Sequence, residues 1–357
     1  MFLLFTAGRG HERINFFNGN PAAARLHKWQ VDIQRELPGR WVFEIGYQGA
    51  RNRELEVTRL SSAFPNQYLS KSASRDQAAI NYLTANVPSP FSGLAQFNGA
   101  TLAGAVIPRS QLLSPFPQFN GVSSFTYDGS SWYDAMNARL EKRFSKGYML
   151  VANYTMSKFI EANSLLNPGD AQPSKVVSDQ DFPHHFSVTS IVELPFGRGR
   201  KFLGSSSRLV DGVVGGWQIS PVYTYQSGPP INFGNVIING NLSDIPLPKG
   251  TRTVDRWFNT GAFNTNNAQQ LANNLRTVSL RFGGIRTDAY NSWDISALKN
   301  TKLTETVMME FRFEALNAFN QVNFEAPNAV PNNTLFGQVT AQRNVPRHMQ
   351  LTLRLQF

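Results

Sequence analysis

The last eleven residues of the chain, 347–357, alternate without a break: Met349, Leu351, Leu353, Leu355 and Phe357 fall on one side, and His348, Gln350, Thr352, Arg354 and Gln356 on the other. A period of two belongs to a strand, because successive side chains of extended backbone point to opposite faces. A helix would scatter the polar groups over every side of its surface. The same pattern returns in residues 307–319, where Val307, Met309, Phe311, Phe313 and Ala315 oppose Glu310, Arg312 and Glu314. Such apolar rows must contact either a protein core or lipid.

Seven more segments read the same way: residues 29–37, 41–47, 132–144, 148–157, 185–194, 215–227 and 293–299. Pro38 and Gly39 join the first two as a tight turn, and Ser145-Lys146-Gly147 joins the third to the fourth. A tenth strand, in residues 1–7, is weak. The strands average about 10 residues, longer than a globular strand and matched to a tilted membrane crossing.

Connection lengths carry the next step. Short turns follow the first, third and seventh strands (38–40, 145–147, 300–306), with a moderate one after the fifth (195–212). Long loops follow the second, fourth, sixth and eighth: 51–131, 160–184, 228–292 and 320–346. These loops are rich in Asn, Pro, Ser and Gly, with one helical-looking insert at 66–86. Short turns on one rim and long loops on the other describe an outer-membrane barrel. The expected fold is therefore all-β, an antiparallel up-and-down transmembrane β-barrel, here a partial barrel of about nine or ten strands. Residues 1–357 read as one barrel unit with no internal boundary, residues 1–24 being an uncertain lead-in.

Helical spans are excluded. The long uncharged stretch at 212–243 is interrupted by Pro221, Pro229 and Pro230 and by several glycines, which no membrane helix tolerates in that number. Charged residues are 16% of the chain, against about 25% in an ordinary soluble domain. The net charge of +10 suits an acidic partner such as lipopolysaccharide or an anionic membrane surface. The continuous apolar rows argue against nucleic acid. Zero cysteines exclude zinc ribbons, iron–sulfur clusters, thiol catalysis and any disulfide framework. Residues 1–5 are apolar but lack a basic start and the length of a secretory signal.

No catalytic motif stands out, and the expectation is that the chain is not an enzyme. Residues 197–201, Gly-Arg-Gly-Arg-Lys, lack the lysine-serine ending of a phosphate cradle and read as a basic turn. Asp179, Asp181, His184 and His185 suit a metal in principle; a polar loop leading into a strand is the plainer reading. Glu310 and Glu314, two apart from Arg312 on one face of a strand, read as a charge ladder. Trp29, Trp41, Trp132, Trp217 and Trp293 lie at or near strand ends, where interfacial rings sit, although aromatics also favour strands in general.

Several ordered segments resemble a known family. Residues 139–147 (RLEKRFSKG), 153–158 (NYTMSK), 181–186 (DFPHHF) and 193–199 (ELPFGRG) are followed by 215–218 (GGWQ) with 226–229 (QSGP). Then come 257–263 (WFNTGAF) and 313–320 (FEALNAFN) with 323–327 (NFEAP). In this order they resemble the barrel of TonB-dependent outer-membrane receptors of the Oar-like class, from about Trp29 to Phe357. The resemblance implies a barrel of about 22 strands, plugged by an N-terminal domain, that binds a scarce ligand outside and imports it when TonB pulls on the plug. It also implies that Phe357, with Leu355, Leu353, Leu351 and Met349 behind it, is the signal read by the barrel-assembly machinery.

Against that pattern the chain shows neither plug, TonB box nor signal peptide, and fewer than half the strands. It is expected to be the C-terminal part of a receptor, unable to gate import alone, and two unpaired edges are expected to leave the sheet open. The alternative is a small non-transporting barrel, an adhesin or porin-like pore; a soluble carbohydrate-binding sandwich is more distant. Tyr127, Trp257 and Phe263, in the long loops, are either ligand contacts or loop packing, and the ligand itself carries no code. No cofactor is implied.

Overall fold

A computed structural model of the chain describes residues 13–17 and 21–357, apart from 64, 99, 120 and 249. Nine strands follow one another: β1 (Arg25–Leu37), β2 (Trp41–Leu60), β3 (Gly121–Ser145), β4 (Tyr148–Ala162), β5 (His184–Glu193), β6 (Trp217–Gln226), β7 (Tyr290–Lys302), β8 (Met308–Leu316) and β9 (His348–Gln356). Each pairs antiparallel with its neighbour in sequence, so the path from β1 to β9 is an up-and-down meander without crossovers. All nine predicted strands are present in order. Among the described residues β1 and β9 bond to a strand on one side only, and the sheet is open.

The hairpins form where the sequence places turn residues. Gly39 and Gly147 take φ of +81°, which the absence of a Cβ makes easy, and the strands on either side stay in register. The tenth predicted strand, 1–7, lies outside the described residues. A short strand not foreseen, Arg13–Phe17, pairs parallel with the start of β3.

Register separates the two faces. Ile33, Ile45, Ala138, Tyr154, Phe186 and Tyr225 stand in one row across six strands. Their immediate neighbours Gln34, Glu44, Arg139, Asn153, Ser187 and Thr224 form the next row, on the opposite face. A one-residue slip in any strand would exchange the two faces, so the apolar alternation pins the register. The apolar face has no protein over it: Ile33 is 67% exposed and Leu351 69%. An uncovered apolar surface of this extent requires lipid.

Two expectations about extent are corrected. β2 and β3 are 20 and 25 residues long, so the loop expected at 51–131 shrinks to 61–120. Their paired ends run beyond the alternating segment and are interrupted by bulges near Arg53 and Leu55, with Glu54 at φ +57°. A bulge destroys the period of two, so this extension left no pattern to read. The strand expected over 307–319 stops at Leu316, because Asn317 turns the chain at φ +48°. The helical-looking insert at 66–86 is a short 3-10 turn, Asn66–Tyr68, followed by the helix Gln77–Thr84. A further helix, Arg208–Val214, lies in the connection after β5.

The hydrophobic cores lie in the loops, since one sheet face is left for lipid and the other is polar. L1 is residues 61–120, L2 163–183, L3 227–289 and L4 317–347. L3 and L4 share a core of Ile231, Phe233, Ile245, Trp257, Phe258, Phe263, Ile285 and Phe336. L1 has its own around Phe97, Leu102 and Ile107.

Candidate functional site

The long loops fold together over one rim of the sheet. Ser70 of L1 donates its amide to the carbonyl of Asn273 (2.9 Å) and accepts from the amide of Leu275 (2.8 Å), both in L3. The buried Asn274 side chain donates to the carbonyls of Ser72 and Ser74 at 2.9 and 3.0 Å. Asn167 of L2 brackets Arg276, accepting from its amide (2.7 Å) and donating to its carbonyl (3.2 Å). L4 joins through the amide of Trp257 on Gly337 (2.8 Å) and that of Val339 on Val254 (2.7 Å). Each bond satisfies a backbone or amide group that loop burial would otherwise strand.

Ion pairs anchor this platform to the strands. Arg286 of L3 reaches fully buried Asp181 at 2.5 Å, and Arg281 reaches Glu161 at the end of β4 at 2.7 Å. Arg59 near the end of β2 pairs with Asp128 of β3 and donates to the carbonyls of Asp170 and Ala171 in L2.

Between L1, L2 and L3 lies a cavity of about 520 Å³, within the roughly 300–1,000 Å³ of small-molecule sites. Leu60, Ala63, Leu69, Phe119, Leu166 and Pro168 supply apolar wall; Ser110, Gln111, Asn167, Asn235 and Asn274 supply hydroxyl and amide groups. Arg276 is the one charged side chain among the described lining residues. Burial pulls its guanidinium down from the ordinary arginine value. Arg252, in the same loop, is lowered by burial in the same way, and Asp288 partly offsets this.

The loop aromatics singled out from sequence are not brought together at this cavity. Trp257 and Phe263 are buried, 5% and 3% exposed, in the core shared by L3 and L4. Phe263 packs against Phe233, Phe258 and Phe336, and the Trp257 indole N–H donates to the carbonyl of Arg286 at 2.9 Å. Tyr127 stands on β3 rather than in a loop. Arg276 and Asn235 were missed, because an isolated arginine and asparagine in polar loops carry no spacing signal.

Asp181 is occupied by protein: besides Arg286, it accepts from the amide of Phe159 at 2.5 Å and lies 3.4 Å from Lys158. His184 Nδ1 is 2.8 Å from the Tyr154 hydroxyl. No cluster of three metal-ligating side chains occurs among the described residues.

The five tryptophans share the apolar face in two bands. Trp41 and Trp217 stand at the short-turn rim, and Trp29, Trp132 and Trp293 toward the loops. Trp29 is eight residues along β1 from Leu37, the partner of Trp41, or roughly 26 Å at ~3.3 Å per residue. That span approximates the ~25 Å apolar band of such barrels. Lys142 and Lys299 lie on the same face at the short-turn rim and reach toward it, Lys142 to Ser145 Oγ and Lys299 to the carbonyl of Gly215. Their ammonium groups stand over Tyr148 and Trp217, at 4.5 and 5.6 Å. A lysine on a lipid-facing strand turns its amino group toward the interface in this way.

A sequence profile described as "Outer membrane beta barrel domain" matches residues 6–350. No curated protein matches the chain in sequence. Similar solved structures include the outer membrane transporter YddB from Escherichia coli, 8% identical with a TM-score of 0.45, the match covering 98% of this chain and 34% of that one. Another is the FpvAI–pyocin S2 complex, at 10% identity and a TM-score of 0.37, covering 93% and 26%. The chain thus spans about a third of the length of the first of these structures.

Proposed function

The chain belongs to the outer membrane beta barrel domain family and resides in the bacterial outer membrane, and from that premise we propose that it is the ligand-capturing part of a TonB-dependent receptor. The observation that carries this reading is the folded loop platform, with its own cores and a half-open cavity, on the rim where the long loops emerge. A receptor needs rigid loops to hold a scarce ligand, because ordering them beforehand spares that entropy at binding.

In this reading the platform is extracellular, the apolar face meets outer-membrane lipid, and basic loop residues meet lipopolysaccharide. The five tryptophans form the interfacial girdle. Contact with TonB runs through an N-terminal plug region, as the Oar-like resemblance implies. The row Met349, Leu351, Leu353, Leu355 and Phe357 is read by the barrel-assembly machinery; Phe357 lies just beyond β9 and is 93% exposed.

The test compares spent growth medium from the producing bacterium, from a strain lacking the gene, and from a strain lacking TonB. The same compound should be left unconsumed in both mutants. Uptake that depends on the chain but persists without TonB would overturn the reading, as would a deletion that spares nothing.

A further inference from the structure

The cavity between L1, L2 and L3 presents a cation without a counter-charge and an acceptor without a donor among the described residues. Arg276 donates from Nε to the carbonyl of Val278 (2.8 Å), and from Nη2 to Asn232 Oδ1 (3.0 Å) and the carbonyl of Ser279 (2.9 Å). All three acceptors are neutral. Its Nη1 has no acceptor among the described residues, and no carboxylate among them pairs with it. Arg59, Arg281 and Arg286 each meet a carboxylate, on Asp128, Glu161 and Asp181, whereas Arg75 and Arg252, like Arg276, bond neutral acceptors but do not line the cavity. A half-buried guanidinium on a cavity wall without a counter-charge favours an incoming oxyanion.

Asn235 supplies the second half. Its Nδ2 donates to the carbonyl of Asn274 at 3.0 Å, while its Oδ1 is buried with no partner among the described residues. A buried orphan acceptor calls for an explanation, and a ligand donor is one. Leu69, Phe119 and Leu166 give the cavity an apolar wall, against which the carbon skeleton of a small ring can lie.

We propose that this cavity binds a small hydroxylated carboxylate of the sugar-acid type, its anionic oxygens on Arg276 and one of its hydroxyls donating to Asn235 Oδ1. This deepens the receptor reading and rests on it, since the loop platform must face the source of the ligand. The cation selects for charge, the orphan acceptor selects for a hydroxyl, and the volume of about 520 Å³ admits one or two sugar rings.

The test uses labelled glucuronate on outer membranes from cells carrying the protein, kept on ice without an energy source, against membranes from a deletion strain. Binding should be saturable, dependent on the protein, and competed by unlabelled glucuronate but not by glucose or by the methyl ester of glucuronate. Arg276→Gln should weaken it by about tenfold or more, with Arg276→Lys retaining part, because a charge-assisted bond is lost in the first and kept in the second. Asn235→Ala should weaken binding while leaving the preference for charge intact. If a variant lowers the amount of protein in the membrane, the ester comparison on the unaltered protein still decides.

Absence of protein-dependent binding at millimolar glucuronate overturns the proposal, as does equal competition by glucose, the ester or inorganic phosphate. Glucuronate binding without TonB-dependent uptake sinks the receptor reading and leaves the site. TonB-dependent uptake of another compound, with no glucuronate bound, does the reverse.

Discussion

Asp181 and Arg286, 105 residues apart, are joined twice: the guanidinium donates to the carboxylate at 2.5 Å and to the backbone carbonyl of Asp181 at 2.6 Å. Asp181 is fully buried in L2 just before β5 and accepts from the Phe159 amide of β4, and Arg286 lies in L3, so the pair fastens L3 to L2 and, through Asp181, to the sheet. Stranding a buried charge costs about 3–5 kcal/mol, and losing Arg286 should cost less than that, because Asp181 keeps the Phe159 amide and Lys158. Arg286→Gln should release L3 and expose it to protease on intact cells. Cleavage unchanged from the native protein would count against this anchoring role.

Gly228 bears on the same joint, since its carbonyl accepts from Arg286 Nη1 at 3.1 Å. A Cβ there would press on the carbonyl oxygens of Thr287 and Asp288, which are backbone and cannot swing away. Gly228→Ala should cost about 1–3 kcal/mol. Gly212→Ala, within the helix Arg208–Val214 and with no atom near its Cβ, should instead stabilise by up to about 1 kcal/mol. Opposite shifts in thermal midpoint are the readout.

The two faces of β9 predict an asymmetry between adjacent residues. Met349 shares a row with Ala315 and Ile295 on the lipid face, four residues or roughly 13 Å further from the short-turn rim than the row of Lys299, whereas Gln350 faces the other way with Glu314. Met349→Arg should cost about 2–4 kcal/mol, as a charge placed near the middle of the apolar band, and Gln350→Arg close to nothing. The amounts of each variant in washed outer membranes measure the difference; equal amounts would contradict the assignment of faces.

The free sides of β1 and β9 carry backbone N–H and C=O groups, each costing several kcal/mol when unsatisfied in hydrocarbon. The 357-residue segment refolded by itself in detergent should therefore yield aggregates. A heat-modifiable monomer on a gel is the result that would refute this.

Asp76 gives L1 a pH dependence. Its carboxylate accepts from the amide of Ala79 (3.0 Å), capping the helix Gln77–Thr84, and from the hydroxyl of Ser70 (2.7 Å). These bonds hold its carboxyl below the ordinary carboxylate value. A pKa depressed by folding adds stability above the unfolded value, about 3.9, and that contribution fades as pH falls through the lower folded one. At neutral pH the Ala79 amide should exchange faster in Asp76→Asn than in the native protein. The ratio of the two rates should approach one in acid, and a ratio independent of pH would exclude the linkage.

The strand order, the register and the division into a lipid face and a polar face were legible in the sequence. Each rests on a local rule, the alternation of side chains along extended backbone, so Leu351, Leu353 and Leu355 needed no partner to be read. The turns at Gly39 and Gly147 were legible for the same reason. The limits of β2, β3 and β8 were not, because a bulge near Glu54 and a left-handed Asn317 break the period. The loops were legible only as loops. Whether Trp257 and Phe263 face outward or pack inward depends on which distant segments fold over them, and no local pattern encodes that. The tertiary structure alone placed them in a shared core, set Asp181 against Arg286, and left Arg276 beside a cavity without a counter-charge. Contacts between residues tens to hundreds of positions apart are chosen by the packing of whole loops, and a periodicity of two cannot express them.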